Sequence, residues 1–264
     1  MPARLKVGLT LAAGASLLLA AALVTGLFRV SPVLGVLVAL ALLGAAGFVL
    51  FIFEPRFDPT GSTLWRRRTT ERVAALTFDD GPSPHTAAIL DTLAAHHVRA
   101  TFFFLGDNAR RHPELVERAR AAGHAVGNHG LSHRKLHRVD VADIDRELRG
   151  AEPLLGPLAQ VRGKPLLRVP HGFKSPRLVR RVNELGYQLV AWTAGVWDSD
   201  QPGADVIAAR LRRALAPGAV LLLHDGDGCV AEPDRSQTAQ ALASFLDDAS
   251  RRGYRLVTLP ELFG

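Results

Sequence analysis

The distribution of apolar residues divides the chain into two unequal parts. Residues 7–28 and 30–53 are two uncharged apolar stretches. Each has close to the roughly 20 residues that a helix needs to cross the hydrocarbon core of a bilayer. Farther along the chain, short apolar runs alternate with amphipathic stretches. The pattern therefore predicts a membrane anchor over residues 1–53 and a folded domain over residues 73–264.

We interpret the two apolar stretches as a transmembrane helical hairpin. Together they are too long for one span, and the sequence Arg-Val-Ser-Pro at 29–32 is typical of a tight turn. Two alternatives remain open: a signal peptide ending near Ala22 and followed by a single anchor, or a pair of buried helices in a soluble protein. Residues 54–72 are rich in charge, Pro, Gly and Thr, which predicts a surface linker to the folded domain.

The charges that flank the apolar stretches favour a cytoplasmic folded domain. A hairpin places both of its ends on one side of the membrane, and basic residues near such ends tend to face the cytoplasm. Only Arg29 lies at the turn, whereas the two ends carry Arg4, Lys6, Arg56 and the arginines at 66–68. The sequence thus predicts a multi-pass protein of the cell membrane.

The composition adds little to this division. Of the formal charge of +7, residues 1–53 hold +3 and the remainder holds +4. So small an excess, dispersed along the chain, does not indicate a nucleic-acid partner. The single cysteine, Cys229, excludes an internal disulfide bond and leaves the redox compartment open. No feature of the sequence indicates an oligomeric state.

Seven apolar runs in the second part predict strands, and six amphipathic stretches between them predict helices. Such alternation is typical of parallel strands covered by helices, either in an open sheet or in a closed or nearly closed β/α barrel. The predicted strands are 73–78, 100–105, 124–127, 166–169, 188–192, 220–223 and 254–259. The predicted helices are 85–97, 112–122, 140–155, 176–185, 203–215 and 234–252.

Several predicted strands are followed at once by polar side chains. In a β/α barrel, the carboxyl ends of the strands meet at one mouth, where catalytic groups lie. We therefore expect these side chains to lie close together at one end of the domain. They are Asp79 and Asp80, Asn128 and His129, Arg168 and His171, and His224.

The sequence GNHGLSH predicts part of a metal site. His129 and His133 are four residues apart, a spacing that on a helical turn directs both imidazoles to one side. Two histidines and one carboxylate bind zinc and leave a coordination position for water. Asp79 and Asp80 are adjacent carboxylates, which repel each other unless a cation shares the site. The hypothesis is that one aspartate binds the metal and the other accepts a proton from the attacking water.

Five motifs, in this order, resemble the NodB-type polysaccharide deacetylases, carbohydrate esterase family four. They span nearly all of residues 73–262, and their ordered spacing is more specific than any single motif. The resemblance implies a distorted β/α barrel that uses a divalent metal to remove N-acetyl, or sometimes O-acetyl, groups from a sugar polymer such as chitin oligosaccharide or peptidoglycan. It also suggests a domain outside the cytoplasm, against the flanking charges. The motifs are TFDDGPSP (77–84), ATFFFLGDNARRHPELVERARAAGHAVGNHGLSH (100–133), RVPHG (168–172), WTAGVWD (192–198) and LLLHDG (221–226).

The resemblance implies a role for each of the reacting groups. Asp80, His129 and His133 would bind the metal, most simply Zn²⁺, with Co²⁺, Mn²⁺ and Ni²⁺ as other candidates. Asp79 would be the general base, and His224 would protonate the departing amine.

The resemblance also implies supporting residues. Arg168 would pair with the catalytic aspartate and orient it, and Asp198 would hydrogen-bond to the acid histidine. His171 stands where the family commonly has a tyrosine, and it would border the sugar. Leu222 would line a pocket for the acetyl methyl group. Trp197, or else Trp192, would supply an apolar wall that the family often builds from a tryptophan at the position of Ser199.

The function that the sequence favours is a membrane-anchored, metal-dependent deacetylase of an amino-sugar polymer or oligomer, held in the bilayer by residues 7–53. A deacylase of a lipid-linked sugar is the first alternative, because it fits a membrane hairpin with a cytoplasmic domain. A non-catalytic glycan-binding protein that retains the fold is the second. A metal-dependent amidohydrolase of non-sugar substrates is the third.

Overall fold

The structure is a computed structural model that describes residues 19–54, 56–58 and 61–264. The chain forms two compact units, of which the first ends at Leu50 and the second runs from Phe51 to Gly264. The predicted boundary between linker and domain, at residue 73, stays a prediction. The second unit begins well before it and includes the described part of the segment 54–72.

The first unit contains two apolar helices, α1 (Leu19–Val30) and α2 (Pro32–Phe53), the last three residues of which belong to the second unit. The helices are separated by Ser31. Near this break, a Cβ added to Gly35 would lie 2.8 Å from the ring of Phe28, so the close approach of these two residues requires glycine.

Only α2, among the described residues, is long and apolar enough to cross a membrane. It has 22 residues and a mean hydropathy of 2.8. This helix covers most of the predicted segment 30–53, but Val30 belongs to α1 and Ser31 to neither helix. Residues 7–18 of the other predicted helix lie outside the described residues, and the membrane hairpin stays a prediction.

The second unit is built on a nine-stranded sheet that is parallel except between β4 and β5. Its main path runs β4-β5-β3-β2-β1-β8-β7, with β6 paired to β5 and β9 paired to β1. The strands are β1 (Val73–Asp79), β2 (Thr101–Phe104), β3 (Ala125–Asn128), β4 (Gln160–Val161), β5 (Lys164–Leu167), β6 (Gln188–Leu189), β7 (Ala194–Gly195), β8 (Val220–His224) and β9 (Arg255–Val257).

Strand β1 is the centre of the domain because it is buried on both faces. All seven of its residues are buried. Leu76 and Phe78 pack in the core between the sheet and its helices. Val73 and Ala75, which alternate with them, belong to a separate cluster on the other face of the sheet, with Val220 of β8. A strand covered on both faces reads as a continuous apolar run, as the sequence predicted.

The helices of the second unit match the six predicted ones within two residues at each end. Two further helices, α4 and α10, and the two-residue strands β4 and β7 are too short to show a period, which is why the sequence missed them. The helices are α3 (Pro84–Ala95), α4 (Gly106–Arg111), α5 (Pro113–Ala121), α6 (Val141–Leu155), α7 (Pro176–Glu184), α8 (Ala204–Ala214), α9 (Ser236–Arg251) and α10 (Leu259–Phe263).

The strands form an incomplete barrel. Within the described part of the chain, no strand pairing joins β6 to β7. The segment around residue 65 lies in this gap instead, because Leu64 bridges to Val190 just after β6 and Arg66 bridges to Ala219 just before β8. The barrel is thus completed by irregular chain, and the carboxyl ends of its parallel strands face one mouth.

Candidate active site

Strand register brings two of the predicted catalytic groups together. Asp79 ends β1 and His224 ends β8, and the two residues are direct partners in the parallel pairing of these strands. Both side chains line the same cleft at the mouth of the barrel. Backbone pairing therefore holds a carboxylate and an imidazole side by side on neighbouring strands.

Asp80, His129 and His133 form a cluster that fits a divalent cation. Oδ1 of Asp80 lies 3.1 Å from Nε2 of His129 and 3.1 Å from Nε2 of His133, and the three ligand atoms lie within 4.8 Å of one another. Oδ1 is buried, yet no donor of the protein meets it at hydrogen-bonding geometry. Buried polar atoms are nearly always partnered. An unpartnered oxygen facing two imidazole nitrogens suits a metal with a two-histidine, one-carboxylate ligand set.

Surrounding hydrogen bonds fix the orientation of these ligands. Nδ1 of His129 lies 2.8 Å from the carbonyl oxygen of Arg168, which leaves Nε2 free to face Asp80. The other carboxylate oxygen of Asp80 accepts a hydrogen bond from the N–H of Gly228 at 3.0 Å. Burial alone would raise the pKa of Asp80, but the imidazoles of His129 and His133 hold it well below its ordinary value. The Asp80 carboxylate is therefore ionised.

Arg168 orients the second aspartate. Its guanidinium is fully buried and donates to Oδ1 of Asp79 at 2.7 Å and to the hydroxyl of Thr77 at 2.8 Å. It also lies over the ring of Phe103, 4.3 Å from the centroid. Oδ2 of Asp79 then lies 4.0 Å from Nε2 of His129, next to the metal cluster. The two adjacent aspartates thus have different partners, and the roles that the sequence hypothesis gave them stay a prediction.

Asp198 holds the side chain of His224. Its Oδ1 lies 2.9 Å from Nδ1 of His224, and its Oδ2 accepts from the backbone N–H of the same residue at 2.8 Å and from the hydroxyl of Thr238 at 3.0 Å. Burial alone would lower the pKa of His224, but the Asp198 carboxylate outweighs that effect and the pKa is raised to about 9. His224 is therefore protonated at neutral pH and can act as a proton donor.

The cleft above these groups has a volume of about 670 Å³, within the range of roughly 300–1,000 Å³ that is usual for ligand sites. The three predicted substrate-binding residues, His171, Leu222 and Trp197, all line it. Leu222 is almost fully buried at its floor, whereas Trp197 is 67% exposed at its rim. Burial lowers the pKa of His171 to about 4, so this imidazole is neutral.

The sequence did not reveal Glu147, which supports the loop between His129 and His133. This residue of α6 is buried, and its Oε2 accepts from the backbone N–H groups of Leu131 and Ser132 at 3.0 and 2.9 Å. Its Oε1 accepts from the hydroxyl of Ser132. Leu131 and Ser132 lie between the two histidine ligands in the chain. The sequence did carry a signal for this role. Glu147 is a charged residue on the buried, apolar face of α6, beside Ile144.

The sequence also gave no role to Asp225, which directly follows His224. Its side chain is fully buried and accepts a hydrogen bond from the hydroxyl of Thr86 at 2.6 Å. Burial raises its pKa to about 7. A Cβ on Gly81 would overlap the Asp225 carboxylate, so this carboxylate packs directly under the turn that follows Asp80.

The backbone of the site is strained. Seven non-glycine residues of the described chain have positive φ, and four of these belong to the cleft. Such conformations cost on the order of 1–3 kcal/mol each and persist where surrounding contacts enforce them. The four residues and their φ angles are Asp80 (72°), His133 (59°), His171 (61°) and Trp197 (55°).

Comparisons with known proteins identify the family. The sequence model of the polysaccharide deacetylases matches residues 66–190. A peptidoglycan-N-acetylglucosamine deacetylase of Bacillus cereus is 33% identical over 217 residues, which cover 80% of this chain and 97% of that protein. A chitooligosaccharide deacetylase of Rhizobium leguminosarum bv. trifolii is 37% identical over 219 residues, with 80% and 98% covered. The chain belongs to the NodB-type polysaccharide deacetylases, carbohydrate esterase family four.

Solved structures agree with this assignment. The crystal structure of the Bc1960 peptidoglycan N-acetylglucosamine deacetylase superposes with a TM-score of 0.69 at 31% identity, covering 76% of this chain and 92% of that one. A pseudoenzyme of the same family from Bacillus anthracis superposes with a TM-score of 0.67 at 22% identity, covering 76% and 69%. The second likeness concerns the fold alone. The predicted α/β fold of the NodB type is confirmed.

The position of Glu147 leads to a prediction about metal affinity. Glu147→Ala removes the acceptor of the backbone N–H groups of Leu131 and Ser132, between His129 and His133, and we expect Zn²⁺ affinity to fall by about 10- to 100-fold, the usual effect of losing an outer-sphere partner. Glu147→Gln keeps one amide oxygen for the two N–H groups and should retain most of the affinity. Competition with a chromogenic chelator measures this in the absence of substrate. Equal affinities for wild type and the alanine variant would contradict the assignment.

Proposed function

We propose that this protein is a metal-dependent deacetylase that hydrolyses the N-acetyl group of an amino-sugar polymer or oligomer, such as chitooligosaccharide or peptidoglycan. The observation that carries the proposal is the convergence on one cleft of a candidate base, Asp79, a candidate acid, His224, and the cluster of Asp80, His129 and His133. The names of the relatives support the substrate class.

The cluster is the place for the divalent cation. Asp80, His129 and His133 would hold it, and we propose Zn²⁺, because neutral imidazole and carboxylate suit this ion. When bound, the ion would lower the pKa of a water molecule toward neutrality and polarise the acetyl carbonyl.

The chain itself supplies the two proton transfers of amide hydrolysis. Asp79 accepts the proton of the attacking water while Arg168 holds the carboxylate in place at 2.7 Å. The oxygen of that water bonds to the acetyl carbon, and the carbon–nitrogen bond breaks. His224 gives its proton to the departing nitrogen, because an amine leaves poorly as an anion. Leu222, at the floor of the cleft, lies where it can contact the acetyl methyl group.

Two alternatives differ in what they require of this site. A non-catalytic glycan-binding protein would need neither a base nor an acid, and both positions are filled and held by buried partners, Arg168 and Asp198. A deacylase of a lipid-linked sugar uses the same chemistry on a substrate held in the bilayer, and the apolar helix α2 favours it as the second candidate.

The N-terminal part, residues 7–53, is proposed as the membrane anchor. The length and hydropathy of α2 support one span. The helix break at Ser31 and the contact of Phe28 with Gly35 support a return of the chain, and so a hairpin.

Chelation and one substitution test the metal mechanism. Removal of the metal from the full-length protein should abolish acetate release from N-acetylglucosamine oligomers. Asp79→Asn should keep bound zinc while kcat falls by about 10²- to 10⁴-fold, the usual contribution of a general base. Zinc content by atomic absorption and acetate release provide the two readouts. The matched variant Asp80→Asn should lose zinc as well, and full activity in the presence of chelator would refute the mechanism.

The raised pKa of His224 predicts a shift in the pH profile. A proton donor works below its pKa, and activity is lost as the pH rises through that value. Asp198→Asn removes the charge that raises the pKa, so the basic limb of kcat should move to lower pH, with kcat at pH 8 reduced about tenfold or more. Asp200→Asn, an exposed neighbour in the same turn, is the control. An unshifted basic limb in Asp198→Asn would show that another group donates the proton.

A topology reporter decides between the two substrates. With alkaline phosphatase fused after Gly264, we expect phosphatase activity, because a wall polymer lies outside the membrane. A fluorescent protein that is active only in the cytoplasm, fused at the same position, should stay dark. The opposite pair of results would exclude an external polymer and favour the lipid-linked sugar.

A further inference from the structure

The end of the apolar helix α2 reaches the catalytic cleft. Phe53, Glu54 and Arg56 line the same cavity as Asp79 and His224. All five residues belong to the second compact unit. The chain segment that follows the helix is therefore one wall of the cleft rather than a loose connection.

Hydrogen bonds attach this segment to the domain on both sides of the cleft. The backbone N–H of Lys174 donates to the carbonyl oxygen of Ile52 at 3.0 Å, and its ammonium group donates to the carbonyl oxygen of Phe57 at 2.7 Å. On the other side, Arg56 donates to the carbonyl oxygen of Thr193 at 3.4 Å. All three bonds end on backbone carbonyl oxygens of the protein, so they do not depend on a bound ligand.

A row of rings leads from the metal cluster to this wall. The ring of His133 lies 4.4 Å from that of His171, His171 lies 5.9 Å from Phe173, and Phe173 lies 5.3 Å from Phe53. Phe53 is 51% exposed although it is a large apolar side chain. Sugar rings pack their C–H faces on aromatic rings, so this row offers successive contacts to a sugar chain that extends from the reacting residue.

Glu54 and Arg56 add polar groups to the same wall. Their side chains form an ion pair with contacts of 2.7 and 3.0 Å and remain 34% and 48% exposed. The pair presents a carboxylate acceptor and guanidinium donors toward the cleft with no net charge. Hydroxyl and amide groups of a neutral glycan match such a surface.

We propose that Phe53, together with the Glu54–Arg56 pair, forms a binding subsite for the acetylated amino-sugar chain beyond the residue that is deacetylated. The proposal rests on the proposed function for its substrate class. It assigns to the segment after α2 a part in choosing long glycans over short ones.

Oligomer length provides the kinetic test. For the full-length protein, kcat/KM is measured on N-acetylglucosamine oligomers from the dimer to the pentamer. Phe53→Ala should lower the ratio of the pentamer value to the dimer value about tenfold, mainly through KM, and Phe53→Trp should restore it. Phe48→Ala is the matched control, because Phe48 is an equally exposed phenylalanine of α2 that does not line the cleft. An unchanged ratio in Phe53→Ala would overturn the proposal.

A binding measurement separates failure of the subsite from failure of the proposed function. Calorimetric titration of the chelator-treated full-length protein with the pentamer needs no turnover, and Phe53→Ala should weaken binding about tenfold relative to Phe48→Ala. Equal affinities would refute the subsite even if the wild type deacetylates all oligomers. Weaker binding by Phe53→Ala combined with an inactive wild type would support the subsite and contradict the proposed function.

Discussion

The site depends on an arrangement in which two adjacent carboxylates have separate partners. Asp79 and Asp80 follow each other at the end of β1, and two close negative charges would drive one of them to take up a proton. The structure prevents this by turning the backbone at Asp80 to a φ of 72°. Asp79 then meets the buried guanidinium of Arg168, while Asp80 meets two imidazoles. This separation is what the proposed mechanism needs, with one carboxylate as proton acceptor and the other as ligand of a cation.

The groups around the two aspartates come from three strands of the same sheet. Arg168 follows β5, His129 follows β3, and His224 ends β8, so all three lie at the carboxyl ends of strands. Burial of β3, of the first four residues of β8, and of Leu166 and Leu167 in β5 fixes the register of these strands. A slip of β8 by one residue against β1 would place Leu223 or Asp225, instead of His224, opposite Asp79. The packing of the barrel and the geometry of the reaction are therefore set by the same contacts.

Much of this could be predicted from the sequence, and the limits have physical causes. Long apolar runs and amphipathic periods located the main strands and helices, and the polar residues after the strands located the mouth. Short elements such as α4 and β7 show no period. The sequence did not identify Glu147 as a site residue, because its role depends on where α6 packs against a distant loop. The sequence did not identify Phe53 either, because an aromatic residue at the end of an apolar helix is normally interpreted as part of the anchor.

The strain in the cleft argues for catalysis over glycan binding alone. Asp80, His133, His171 and Trp197 all have positive φ, although none is glycine, and each such residue lowers the stability of the folded chain by about 1–3 kcal/mol. Buried polar residues that do not face the substrate maintain this strain, among them Glu147 under the loop of His133. A surface that only binds sugar needs exposed rings and hydroxyl partners, which relaxed loops can provide. Of the two imidazoles and two carboxylates that lie together here, His133 and Asp80 have this strained backbone, so half of the cluster is held at an energetic cost that sugar binding alone does not need.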